Sequence, residues 1–205
     1  MKDMTITYEV GNALYVNITN RCSNRCDFCI RNNGDGAYGS NSLWLAKEPS
    51  CEEILADIAA RDLSKYEEIV FCGYGEPTER LEVLLEVAKR LKAQCALPIR
   101  INTNGQSDLI CKKDTAPMYA GVIDSISISL NAPNAEEYDR VCHSRFGLGA
   151  YEALLRFATR VKDYVPSVML SVVDIALTPE EIEECKGIAD RCGVPLRVRK
   201  YIGKE

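Results

Sequence analysis

Three cysteines, Cys22, Cys26 and Cys29, fall within eight residues of a chain that carries ten cysteines and a single histidine, His143. Spacers of three and two residues let one loop wrap three thiolates around one metal centre. Structural zinc closes with four ligands, commonly as paired C-x2-C units or with histidine, and no second cysteine pair is present. An iron–sulfur cluster normally takes four thiolates, so three would leave one iron open to a substrate or cofactor. A fourth thiolate from a distant cysteine such as Cys51 or Cys72 would close the site instead, and the count alone leaves both arrangements open. Arg21 and Arg25 flank the group and are expected to lower the thiol pKa values by offsetting negative charge.

The elements that must position this loop follow from hydrophobic periodicity. Strand patterns cover 13–19, 68–72, 98–102, 122–130, 167–175 and 195–201. Helical patterns lie between them. One covers 50–60, with Ser50 as N-cap and Glu53 completing a capping box. Another covers 78–91, with an apolar stripe of Leu81, Leu84, Leu85, Val87, Ala88 and Leu91. Later helices fit 151–164 and 179–191, the latter behind the cap Thr178 and ended by Gly193 and Pro195; a short helix or turn fits 135–141. Repeated strand–helix alternation predicts an α/β fold with a parallel six-stranded sheet and right-handed crossovers. The cysteines follow the first strand, which puts them at the carboxyl edge of the sheet, where active sites gather. In the fourth strand Ser125, Ser127, Ser129 and Asn131 share one face, and Ile126, Ile128 and Leu130 share the other. A whole face of small polar side chains fits either a ligand-holding cavity or an edge strand with one wet side.

Composition bounds the function classes. The 205 residues are 46% hydrophobic and 27% charged, an ordinary globular balance for one domain spanning 1–205. With 25 basic and 30 acidic residues the formal charge is −5, which argues against a generally basic nucleic-acid surface. No apolar run approaches the roughly 20 residues of a membrane span, and the first residues lack the apolar core of a signal peptide. The expectation is a soluble cytoplasmic protein without membrane or nucleic-acid partners. The seven scattered cysteines, Cys51, Cys72, Cys95, Cys111, Cys142, Cys185 and Cys192, read mostly as small buried hydrophobes.

The spacing C-x3-C-x2-C, with Phe28 just before the last cysteine, resembles the signature of the radical S-adenosylmethionine (SAM) superfamily. The resemblance implies a [4Fe-4S] cluster on Cys22, Cys26 and Cys29, with the fourth iron chelated by the amino and carboxylate groups of SAM. It implies one-electron cleavage of SAM to methionine and a 5′-deoxyadenosyl radical, which abstracts hydrogen from a substrate. Phe71-Cys72-Gly73-Tyr74-Gly75-Glu76-Pro77 resembles the family's GGEP motif, with Tyr74 inserted, so Gly73, Gly75 and Glu76 would hold the SAM amino group. Asn102-Thr103-Asn104-Gly105 resembles its T-N-G turn, which brings in Asn104. Ser129 and Asn131 would meet the SAM ribose and carboxylate, and Phe28 would lie beside the adenine. The likeness spans 13–201 and implies a partial (β/α)6 barrel.

A narrower likeness, in 127–133, 136–142 and Phe146-Gly147, is to radical SAM proteins associated with TatD-type nucleases. The family reading implies a flavodoxin- or ferredoxin-like electron donor and an unidentified substrate, small molecule or protein. Within the class, a glycyl-radical activating enzyme acting on a partner protein and a modifier of a nucleotide-like or carboxylate-bearing metabolite are both specific alternatives. From another class, a non-enzymatic zinc or iron–sulfur binding module would require a fourth protein ligand.

Three features are candidates for reading the substrate. Arg197, Arg199 and Tyr201 share one face of the last strand, where they would bind an oxyanion or guard an exposed edge. His143 would be a proton donor or a cap. The loop over 31–47, with Tyr38 and Trp44, would be a lid or a packed cover.

Overall fold

The computed structural model describes residues 4–201. Seven short strands form one sheet: β1 (Thr7–Val10), β2 (Ala13–Val16), β3 (Glu68–Phe71), β4 (Ile99–Thr103), β5 (Ser125–Ser129), β6 (Ser167–Val173) and β7 (Leu196–Arg199). Six helices accompany them: α1 (Cys51–Ala59), α2 (Leu81–Lys92), α3 (Ser107–Cys111), α4 (Ala135–Cys142), α5 (Gly149–Val161) and α6 (Pro179–Cys192). The six parallel strands of the sequence reading are β2 to β7. The seventh strand, β1, is an addition: it pairs antiparallel with β2 across a tight turn in which Gly11 takes φ +55°.

Strand order in space is the order in sequence, β1 through β7, with every neighbour from β2 onward parallel. Without a reversal of strand order, right-handed crossovers put the helices on one face of the sheet. Register shows which side chains meet them. Val16, Phe71, Ile101, Ile126 and Val168 lie in successive paired rows and join the main apolar core with Leu84, Val87, Ala88 and Leu91 of α2 and Leu154, Phe157 and Val161 of α5. The opposite, inner face carries Tyr15, Arg100, Asn102, Ser127, Ser129, Ser171, Arg197 and Arg199. A sheet covered by helices on one side and polar on the other is the partial barrel expected. Because β5 lies between β4 and β6, its serine face belongs to the barrel interior, not to an edge.

Local chemistry sets the helix ends. Ser50 and Glu53 form a reciprocal capping box at α1, and Thr178 and Glu181 do the same at α6. Gly193 ends α6 in the left-handed region at φ +70°. Pro77 opens a single 3-10 turn, Pro77–Arg80, before α2 begins. Among the described residues no helix is long and apolar enough to cross a membrane.

Candidate functional site

The loop after β2 carries the three cysteines, all half-buried and all in the reduced form. Its start is held by the loop after β3. Glu76 N–H donates to the Arg21 carbonyl at 2.8 Å, and the two backbones pass so closely that only glycine fits at 75. A Cβ there would lie 2.6 Å from Arg21 O and 2.8 Å from the Thr19 carbonyl carbon. A Cβ on Gly73 would likewise overlap the Asn17 side chain, 2.6 Å from its Cγ. Both glycines therefore serve close approach of one loop to its neighbour.

Glu76 is 4% exposed, and both oxygens of its carboxylate are bonded within the protein. Oε1 accepts from Thr78 N at 3.0 Å, Thr78 Oγ1 at 2.7 Å and Thr103 Oγ1 at 2.7 Å; Oε2 accepts from Asn104 N at 2.7 Å. Three of these bonds fall on Oε1 and one on Oε2, so an acceptor direction of Oε2 stays open. Glu76 ties the ends of β3 and β4 together. Burial raises its pKa, while the bonds from Asn104, Thr103 and Thr78 act against that rise.

Asn104 is likewise bonded within the protein. Its Nδ2 donates to Ser23 Oγ at 2.7 Å and its Oδ1 accepts from Gln106 N at 3.1 Å. It opens a buried network beneath the cysteines. Gln106 Oε1 accepts from Ser23 Oγ at 2.9 Å and Ser144 Oγ at 3.0 Å, and its Nε2 donates to Asn24 Oδ1 and Tyr138 Oη, each at 2.9 Å. Asn24 Nδ2 also donates to Tyr138 Oη at 2.9 Å. Every polar atom of the Gln106 amide is used, and its side chain is fully buried. This network fixes Ser23 and Asn24, the two residues between Cys22 and Arg25. Tyr138→Phe strands two amide donors and is expected to cost about 2 kcal/mol, read as a lower urea midpoint with unchanged slope.

Ser129 and Asn131 behave differently. Ser129 is half-buried on the inner face and makes no side-chain hydrogen bond among the described residues. Asn131 adopts φ +58°, a left-handed conformation that asparagine tolerates better than most residues. Its Nδ2 donates to Cys142 Sγ at 3.8 Å, and its buried Oδ1 has no partner. A buried acceptor without a donor is costly, and a ligand hydroxyl or ammonium would satisfy it. Phe28 is half-buried against the main core.

Burial pushes the Cys22 thiol up to about 12, with the Glu76 charge adding to the rise. Cys26 is also raised, first by its bond to Cys142 and then by burial, and Cys29 is raised by burial. The cation that offsets these effects is Arg31, which favours the thiolate at all three cysteines. Arg21 instead pairs with Glu48 at 2.7 Å, and Arg25 is exposed, so neither fills the role expected of it.

Cys51 and Cys72, the distant cysteines of the sequence reading, have other neighbours among the described residues. Cys51 lies beside Arg90, and Cys72 continues β3. The thiol nearest the loop is the buried Cys142, at the end of α4. Backbone bonds from Arg25 N to Cys142 O (2.9 Å) and Asp27 N to Val141 O (3.0 Å) hold it beside Cys26. Among the described residues no three Cys, His, Asp or Glu side chains converge as a finished coordination sphere. The donor chemistry nonetheless fits an iron–sulfur cluster: three soft ligands on one loop, a neighbouring guanidinium, and the backbone Asn24 N–H donating to Cys22 Sγ at 3.4 Å.

The loop over 31–47 is a pinned cover. Tyr74, the residue inserted between the two glycines, donates from its hydroxyl to Gly34 O at 2.7 Å or Gly36 O at 3.0 Å and meets the Trp44 ring edge-on at 5.0 Å. Asn17 Nδ2 donates to Leu43 O at 2.7 Å, and Asn20 exchanges bonds with Leu45. Beyond this, Asn33 Nδ2 reaches Tyr201 Oη at 3.2 Å, just past β7. His143 is a left-handed C-cap of α4 that pairs with Asp27 at 2.8 Å, the capping outcome. A cleft of about 360 Å³ near the start of α2, lined in part by Arg21, Arg80 and Lys113, includes none of the SAM-contact candidates.

The comparisons agree with this geometry. Over 186 residues the chain is 28% identical to a probable GTP 3′,8-cyclase of Thermococcus kodakarensis, covering 90% of this chain and 55% of that protein. Over 159 residues it is 26% identical to the GTP 3′,8-cyclase of Lactiplantibacillus plantarum, covering 77% and 44%. It thus spans about half the length of these curated relatives. Among solved structures, Streptococcus suis SuiB bound to S-adenosylmethionine matches with a TM-score of 0.66 at 18% identity, covering 90% of this chain and 39% of that one. Methylornithine synthase (PylB) matches with a TM-score of 0.61 at 14% identity, covering 94% and 54%, and these two likenesses speak to the fold. The family model described as the radical SAM superfamily matches residues 16–189, so the chain belongs to the radical SAM superfamily.

Proposed function

We propose that this chain cleaves SAM reductively at the carboxyl edge of its sheet and uses the product to abstract hydrogen from a substrate. Cys22, Cys26 and Cys29 would hold a [4Fe-4S] cluster; the Gly73 to Gly75 backbone, Ser129, Asn131 and Phe28 would hold SAM. Bound there, the two groups supply one-electron cleavage of a carbon–sulfur bond and, from it, a hydrogen-abstracting radical. The observation that carries the reading is the lock between the Glu76 segment and the cysteine loop, which fixes the two binding loops in one frame. Glu76 and Asn104 act in it as positioning residues. A flavodoxin- or ferredoxin-like protein would deliver the electron. Assignment to the TatD-associated subgroup and a single domain over 1–205 are proposed on the sequence alone. The curated relatives are named for a reaction of GTP, which favours a small nucleotide-like substrate over a partner protein's glycine.

Anaerobic reconstitution with iron and sulfide, followed by dithionite and SAM, is expected to yield 5′-deoxyadenosine by chromatography. Tightly held zinc, no iron uptake and no SAM turnover would replace this reading with a binding module.

A further inference from the structure

The inner face of β7 carries two arginines whose surroundings differ from those of the other arginine inside the barrel. Arg100, on β4, is neutralised: it makes two bonds to the Glu68 carboxylate, at 2.7 and 3.0 Å, and a third to Asn102 Oδ1 at 2.7 Å. That is the pattern of a structural arginine. Arg197 and Arg199 have no carboxylate within salt-bridge distance among the described residues, although acidic residues outnumber basic ones in the chain.

Arg197 is exposed, whereas Arg199 is turned inward. It is half-buried, its Nε is buried without a hydrogen-bond partner, and its charge acts on Tyr38 of the covering loop and on Cys72 at the end of β3. An edge guard would extend its guanidinium into water, as the exposed Lys200 can. An inward guanidinium with an unmet donor is poised for an acceptor supplied from outside the protein.

Register provides the rest of a recess. Ser129 pairs with Ser171, and Ser171 pairs with Arg197, in one row across β5, β6 and β7; the buried Ser171 hydroxyl donates to Ile128 O at 3.4 Å, while Ser129 makes no side-chain bond among the described residues. Arg199 stands one row further toward the carboxyl edge, opposite Val173. The bond from Asn33 to Tyr201 brings the covering loop across to this strand.

We propose that Arg199, with Arg197 on the same face of β7, forms the binding site for an oxyanion of the substrate, a phosphate or a carboxylate. The site deepens the function proposed above by giving its substrate a chemical class. Two adjacent guanidiniums match the geometry of such groups bidentately, and a neutral substrate would leave both unpaired.

The test is calorimetric titration of the reconstituted full chain with inorganic pyrophosphate and, separately, with succinate. Repeating it without SAM or iron makes the result independent of the radical chemistry. Binding of either probe is expected, weakened about tenfold to a hundredfold in Arg199→Gln and further in the double variant with Arg197→Gln. Arg199→Lys is expected to recover part of the loss, because charge returns without the planar fork. Preference for pyrophosphate identifies a phosphate-bearing substrate; preference for succinate identifies a carboxylate. Circular dichroism and a urea midpoint check that each variant is folded. Failure of wild type to bind either probe, or equal affinity in folded variants, overturns the site. A parallel fall in SAM affinity in those variants would also overturn it, by reassigning the arginines to the cofactor carboxylate.

Discussion

Single replacement of Cys22, Cys26 or Cys29 by alanine is expected to reduce 5′-deoxyadenosine formation by at least about a hundredfold, together with loss of cluster absorbance and iron. Changes to groups that merely support a metal ligand cost about 10- to 100-fold, so removal of a ligand should exceed that range. The three sulfurs lie on one loop held at both flanks, with Glu76 N–H bonding Arg21 before it and Val141 O accepting from Asp27 within it. No neighbouring thiol on the same loop can take a lost ligand's place. Cys142→Ala is the informative companion. Cys142 is the cysteine packed against Cys26, and if it were the fourth ligand of a closed site its loss would remove iron. With one iron left for SAM, Cys142→Ala keeps its cluster. Cys185→Ala, buried within α6, is expected to keep both cluster and SAM cleavage.

Gly75→Ala is the second large effect. The added methyl meets backbone rather than a flexible side chain: the carbonyl groups of Thr19 and Arg21. Neither can rotate away, so the loop after β3 and the cysteine loop must part. Overpacking a site costs about 1–3 kcal/mol even where side chains can yield, and here about 3 kcal/mol or more is expected. The bond from Glu76 N–H to Arg21 O would lengthen, and the Glu76 carboxylate would lose its register with Thr103 and Asn104. A reduced urea midpoint and weaker SAM binding should therefore appear together. Weaker SAM binding with unchanged stability would mean that Gly75 faces the cofactor alone and that the close approach of the two loops carries no load. Tyr74→Phe, next door, should leave the loop register intact and loosen only the covering segment over 31–47.

What was legible in the sequence was local. The Ser50/Glu53 capping box and the Thr178 N-cap are local features, and both form, the second completed by Glu181. The serine alternation of β5 depends on a period of two and survives in the register. The cysteine spacing needs one loop only. The parts that escaped are non-local. Gln106 bonds Ser23 and Asn24 across more than eighty residues, and Asn24 bonds Tyr138 across 114, so no spacing rule reveals them. Arg31 and Cys142 reach the cysteines only once the loop and α4 are folded together. β1 is four residues long and gains its stability by pairing with β2 and packing Tyr8 against Tyr15. Glu76 and Asn104 were found, but their ties to Thr78, Thr103, Ser23 and Gln106 were not, since sequence does not show which hydrogen bonds a side chain makes.

The strictly sequential strand order has a consequence for how the molecule assembles. Each βα unit docks on the one before it, so the sheet can grow in chain order with each new strand closing only its own connecting segment. The hydrogen bond from Asn33 to Tyr201 is of another kind, joining residues 168 apart. Its partners meet only after the whole sheet exists, and its rupture leaves every strand pairing and the core behind α2 and α5 untouched. The tie between the covering loop and the end of β7 is therefore a contact that only the completed sheet can make.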